Sequence, residues 1–427
     1  MLAFASATAL SFGDTLSAQS DTIRAGTFSL AAAASLARRH HPMLVAAGGR
    51  RQMVAGAARQ DAAFPNPIFE WRKENYGSPL SRDEFISAGL PVDVYGRRVA
   101  LRAASGFTAA RALSDSATTA RQVEFDVARA YWRTVLAMAL RDASAAQRLA
   151  IDTVARIESD RARQGAVPAG AALRARLEAD RVRLTEAGTR AEFERARGDL
   201  ARALAVPVDS VPLPTDALLI DSGSTIPPLE ALLTEARARR TELASARARV
   251  AEADKRRLAE RLGTFPALGV QVGRKRTSGF QTGTMQVGVA IPLFDRNGGN
   301  RERARGDVLI AESELRATQS AVDADVTSAF RAYRVLLTEY DRAAASDGGG
   351  AGLRDLTNRG ATIATIAGTA YREGAIPLFE LLDAQRVRAD VRVAALHAAT
   401  DILMARLDLL RAIGLPVDSA QFLSPKQ

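Results

Sequence analysis

The sequence predicts a mainly helical chain, internally duplicated, with one β-hairpin in each half between long helices. Three observations carry this. Motifs recur in one order along the chain: RQGAVP (163–168) returns as REGAIP (372–377), and LAVPVDS (204–210) as IGLPVDS (413–419), both 209 residues on. Ala, Arg, Glu and Leu dominate while aromatics make up only 5%, which favours long helices packed through small residues over a compact aromatic core. One period-two, glycine-dotted segment, FPALGVQVGRKRTSGFQTGTMQVGVAIPLFDRNGG (265–299), interrupts the helical pattern.

The duplication sets the order of elements. Phe64-Pro65 recurs as Phe265-Pro266 and Leu90-Pro91 as Ile291-Pro292, 201 residues on. FDVARAYWRTVL (125–136) parallels ADVTSAFRAYRVLL (324–337). The chain thus divides into residues 1–20, a first repeat over 21–210, a linker over 211–227, a second repeat over 228–419 and a tail over 420–427. A first helix is expected over 28–62 and again over 228–262, followed by hairpins over 64–95 and 265–294. Long helices over 98–164 and 299–373 come next, the second interrupted at the glycine-rich 346–352, and final helices run to 205 and 413. Turns near 165–168 and 374–377 join the last two elements, because Gly ends a helix and Pro starts the next. Leu173, Leu177, Val182 and Leu184 form a narrow apolar stripe suited to side-by-side packing.

The hairpins decide the setting. Leu268, Val270, Val272, Met285, Val287, Val289 and Ile291 share one face; Gly269, Gln271, Gly273, Gln286, Gly288 and Ala290 share the other. In the first hairpin Phe69 and Trp71 align, as do Ile86, Ala88 and Leu90. Strands of this length span a bilayer when tilted. Four strands cannot close around a pore, whereas three copies supply twelve. Phe64, Tyr95, Phe265 and Phe294 at the helical end, with Trp71, Tyr76, Phe85 and Phe280 toward the tips, suggest two interfacial girdles. A soluble sandwich burying one face fits the same alternation, but the flanking helices leave no obvious cover for it.

Composition narrows the chemistry. The formal charge is +10, yet Arg alternates with Glu and Asp, as in RARLEADRVRLTEAGTRAEFERARGDL (174–200), without a basic tract beside stacking aromatics. Nucleic acid is therefore not the expected partner. Cys is absent, which removes disulfides and a thiolate nucleophile. The opening MLAFASATALSFGDTLSAQSD reads as a secretory signal with small residues near Ser17 and Ala18. Of three histidines, His40 and His41 precede Pro42 at a helix bend, where capping is the expected role, and no carboxylate cluster completes a metal site. No Ser-His-Asp order, phosphate loop or carboxylate pair marks an enzyme or a cofactor site, and RNGGNR (296–301) reads as a turn.

HPMLVAAGGRR…FPNP (41–67), GLPVDVYGRRVALRAA (89–104), IPLFDRNGGNRERAR (291–305), REGAIPLFELLDAQ (372–385) and RAIGLPVDS (411–419) resemble a TolC-family outer-membrane factor, an outer membrane efflux protein. The resemblance covers nearly the whole chain from residue 28. It implies a homotrimer with a twelve-stranded barrel in outer-membrane lipid and a twelve-helix periplasmic barrel. It also implies docking to a periplasmic adaptor (a membrane fusion protein) and an inner-membrane pump, in a tripartite efflux system. GLPVDVYGRR and the tip sequences are similar to factors of heavy-metal (cobalt–zinc–cadmium) pumps. Many relatives carry an acylated Cys, which this sequence lacks. On this reading Gly165, Val167, Pro168, Gly374, Ile376 and Pro377 form the tip that meets the adaptor, and Arg163, Arg372, Glu373, Glu380 and Asp383 ring the periplasmic mouth as a candidate gate. The rival is a periplasmic adaptor or coiled-coil scaffold, which typically has one helical hairpin and no twofold duplication.

Overall fold

A computed structural model describes residues 28–74, 82–218, 226–345, 353–417 and 419. The expectations for residues 1–20, Tyr76, 346–352 and 420–427 lie outside them. The first repeat comprises α1 (Leu30–His40), α2 (Pro42–Ala62), β1 (Ile68–Glu74), β2 (Asp83–Val92), α3 (Arg97–Arg163) and α4 (Ala169–Leu204). The second comprises α5 (Leu229–Arg239), α6 (Thr241–Leu262), β3 (Ala267–Thr277), β4 (Phe280–Ala290), α7 (Gly298–Ala345), α8 (Leu353–Arg372) and α9 (Leu378–Ile413).

Each first helix is broken in two, the first at the bend expected before Pro42 and the second at a point the sequence does not mark. The break at His41 follows from its extended backbone and from Pro42 at the start of α2, with His41 Nδ1 accepting from Met43 N at 3.2 Å. Arg240 breaks the second at the equivalent point, where its guanidinium donates to Ala412 O at 3.1 Å and Asp325 Oδ2 at 3.3 Å. The two breaks are 199 residues apart (240 − 41).

That offset recurs in the packing. Ala33 and Leu232, Ala37 and Ala236, Val127 and Val326, and Tyr131 and Phe330 are buried pairs at the same spacing. In the last helix of each repeat the spacing is 209, and Leu200 with Leu409 and Leu204 with Ile413 are likewise buried. An ion pair is duplicated too: Arg38–Glu124 at 2.9 Å and Arg237–Asp323 at 2.6 Å each tie the first helix of a repeat to its long helix (237 − 38 and 323 − 124, both 199). Where one repeat uses Ala33 the other uses Leu232, so volume is redistributed while the inward positions stay.

The long helices pack side by side, α3 against α4 and α6, α7 against α6 and α9, and α8 against α9. The stripe expected on α4 splits: Val182 is buried with Ile151, Ala155 and Leu382, but Leu173, Leu177 and Leu184 are exposed. Within one chain α3 covers only one side of α4, so the remaining leucines face outward.

The strands form one antiparallel sheet in the order β1-β2-β3-β4. The register sets Trp71 opposite Ile86, Leu90 opposite Val270, Leu268 opposite Val289 and Val272 opposite Met285, all on one face. That face is bare: Trp71 is 64% exposed, Met285 73% and Val287 56%. A soluble sandwich would cover it. The opposite face holds Gln271, Gly273, Lys275, Gln286 and Thr284, with Gln271 Nε2 donating to Ser87 Oγ at 2.7 Å. Register also moves two girdle aromatics. Phe85 pairs with Lys275 and Phe280 with Thr277, which puts both on the polar face; Phe85 lies under the Arg72 guanidinium, 4.5 Å from its ring centroid. At the helical end Tyr95 stacks on Phe265 at 4.7 Å.

Candidate functional site

Two ends of the molecule carry its surface chemistry: the bare sheet and, at the far ends of α3 and α8, a pair of tight helical turns. The turns are built alike. Gly165 and Gly374 take left-handed backbone (φ 75° and 78°), which an L side chain resists. Ala166 N then reaches back to Arg161 O at 2.9 Å and Ala375 N to Ala370 O at 2.8 Å, the doubled closure that Gly permits at a helix end. Pro168 and Pro377 cap the returning helices. Val167 and Ile376 are half-buried between these points, with the flanking turn residues exposed.

The candidate gate residues sit on this rim without joining the two hairpins. Arg163 pairs with Asp160 of its own helix. Arg372 folds onto its own helix, donating to Gly368 O at 3.2 Å and Thr369 Oγ1 at 3.1 Å. Glu373, Glu380 and Asp383 are exposed and make no ion pair among the described residues. Glu380 lies in the first turn of α9, where a carboxylate complements the helix dipole.

Other residues tie the hairpins together. Arg386 of α9 makes a two-point bridge to Glu178 of α4, at 3.0 and 2.5 Å. The Glu178 side chain is only 7% exposed, and its hydrogen bonds from Arg386 hold its carboxyl below the usual range against the opposing effect of burial. Arg161 of α3 donates to Tyr371 Oη of α8 at 3.2 Å and approaches the buried Glu158 at 3.5 Å. Burial, then the adjacent Glu158 carboxylate, pushes the Tyr371 phenol up to about 12. Ile151, Ala155, Ala175, Ala179, Val182 and Leu382 form the apolar floor beneath both bridges.

These bridging residues were not among the sequence candidates. A signal existed: Glu158 follows Ile151 and Ala155 at inward helical spacing, and Glu178 lies between Ala175 and Val182 in the same way. A carboxylate at an inward position needs a partner, and Arg161 and Arg386 are those partners.

Two grooves of about 510 Å³ each repeat one lining, with Asp126, Ala130, Asp199 and Arg202 in the first repeat and Asp325, Ala329, Asp408 and Arg411 in the second. Their acids face basic groups rather than a shared centre; Asp408 receives Arg129 at 2.6 Å. Among the described residues no cluster of three or more His, Asp or Glu could hold a metal, and no helix is long and apolar enough to cross a membrane.

The fold is similar to that of several solved outer-membrane channels. It superposes on VceC from Vibrio cholerae with a TM-score of 0.73 at 17% identity, covering 91% of this chain and 97% of that one. The Campylobacter jejuni CmeC outer-membrane channel gives 0.73 at 15%, covering 90% and 85%, and the open state of the Neisseria gonorrhoeae MtrE channel 0.73 at 18%, covering 91% and 89%. No curated protein matches the sequence. Residues 232–415 match the family described as "Outer membrane efflux protein". The chain is thus similar to these outer-membrane channels in fold, and over residues 232–415 its sequence matches that family.

Proposed function

We propose that three copies of this chain form a passive exit duct, the outer-membrane component of a tripartite efflux pump. The bare apolar face of an open four-stranded sheet carries the reading. In lipid, sheet edges must be paired, so β1 of one copy needs β4 of the next, and three copies supply a closed twelve-stranded barrel. The helices extend the same tube. The 67 residues of α3 span about 100 Å at 1.5 Å per residue, a length suited to crossing much of a periplasm.

The tip turns, with Gly165, Val167, Pro168, Gly374, Ile376 and Pro377, would meet a periplasmic adaptor, which in turn docks the inner-membrane pump. Arg163, Arg372, Glu373, Glu380 and Asp383 would ring the mouth there, where three copies bring their charges together. The inter-hairpin bridges Glu178–Arg386 and Arg161–Tyr371 would hold each α8–α9 hairpin on its α3–α4 neighbour. Energy and cargo choice belong to the pump; the duct performs no covalent chemistry.

Two assays test this together. Deleting the gene should sensitise cells to at least one class among heavy metals and drugs. The purified protein should give discrete conductance steps in planar bilayers. A protein recovered in the soluble fraction, with no conductance, refutes the duct.

A further inference from the structure

The duplication carries more than a copy number. Helix α6 is covered on two sides, by α7 of its own repeat and by α3 of the other. The α6–α3 seam is polar and runs antiparallel. Thr241 meets Thr118 at 2.7 Å, Ser245 donates to Asp115 at 2.6 Å, and Glu252 receives Arg111 at 3.2 Å. Helix α2 is the counterpart of α6 and packs on its own α3, but its other side is bare.

The offset of 199, fixed by the paired helix breaks and by Arg38–Glu124 with Arg237–Asp323, maps this seam residue by residue. Thr241, Ser245 and Glu252 become Pro42, Ala46 and Met53 on α2; Thr118, Asp115 and Arg111 become Ala317, Glu314 and Ile310 on α7. All six are exposed, Met53 to 68% and Ile310 to 56%. The substitution has a direction: where the covered seam inside the chain uses a charge pair, the uncovered one offers two large apolar side chains.

We propose that the subunit junction repeats the internal seam, with α2 of one copy lying antiparallel on α7 of the next and Met53 seated on Ile310. This rests on the three-copy reading and adds its register. Charge is disfavoured at the core of an interface between separately folded chains, because any copy without its neighbour leaves a carboxylate to be desolvated again on each association. Apolar residues at those two points avoid that cost. Inside the chain the partners are tethered, so Arg111 and Glu252 can be retained.

The sequence has no Cys, so M53C/I310C contains only the two thiols of interest. Oxidised in the outer membrane, it should give covalent species up to a trimer, absent from either single variant. A control, R111C/E252C, should lose its free thiols without gaining mass. A native trimer that shows no ladder overturns the register while leaving the duct intact; a detergent-solubilised monomer overturns the three-copy reading itself. A second pair of variants keeps the register falsifiable should the cysteines disturb assembly. M53E alone should weaken trimer association about tenfold or more, and M53E/I310R, which transplants the internal ion pair, should recover most of the loss. Failure of I310R to rescue M53E overturns the proposed contact.

Discussion

Removing Arg386 should release the α9 hairpin from α4. In Arg386→Ala the Glu178 carboxylate, 7% exposed, loses two charge-assisted hydrogen bonds at 3.0 and 2.5 Å. Stranding a buried charged group costs about 1–3 kcal/mol or more. Two features favour the lower part of that range: Arg386 is itself 40% exposed, and Arg181 remains 3.5 Å from Glu178. A loss of about 1–2 kcal/mol per copy follows. If three equivalent bridges open together, the sum is about 3–6 kcal/mol, or about two to four decades in the ratio of open to closed mouths. Single-channel recording in planar bilayers reads this directly as higher open probability or conductance. Glu178→Gln keeps the shape but weakens the pairing, so it should move the same way by less. The double variant Glu178→Gln/Arg386→Ala should lose less than the two single changes add up to. Unaltered conductance in Arg386→Ala and Glu178→Gln, with both proteins folded, refutes the bridge as a restraint on the mouth.

The bridge also fixes a pH dependence. The folded-state pKa of Glu178 lies below its unfolded value, so its contribution is complete at neutral pH and disappears as pH falls through the lowered folded value. The thermal-stability gap between the natural protein and Arg386→Ala should therefore persist at neutral pH and close as the pH falls below the ordinary carboxylate range; a gap that instead opens on acidification contradicts the sign. On the sheet, Val287→Lys should block outer-membrane insertion, at about 2–4 kcal/mol for a mid-bilayer cation, while Gln286→Lys on the other face should be tolerated. Equal defects in both would contradict the assignment of faces. Cysteines at 166 and 375, at the exposed turns, should crosslink to the adaptor in cells, and a clean negative at both removes the docking claim.

Much of this architecture could be read from the sequence because its signals are local. Alternation puts Leu268, Val270, Val272, Met285, Val287 and Val289 on one face, and the register sets them opposite one another there. Gly165 and Gly374 announced left-handed turns because few other residues take them readily. The misses are tertiary. Arg240 has no Pro or Gly beside it; its break depends on carbonyls of α9 that lie far along the chain. Phe85 and Phe280 were assigned by nearness to the tip, but strand parity turns them to the polar face. The bridges are harder to read because Glu158 and Glu178 lie one or more turns back from the tip, and their burial appears only once α8 and α9 are in place.

The central claim is that one copy leaves its sheet open and three close it. The most direct measurement is native mass spectrometry of protein extracted from the outer membrane in mild detergent. The account predicts a complex of three chains, each of 45.5 kDa or less after any processing. A single chain that stays dispersed in water without detergent would contradict it.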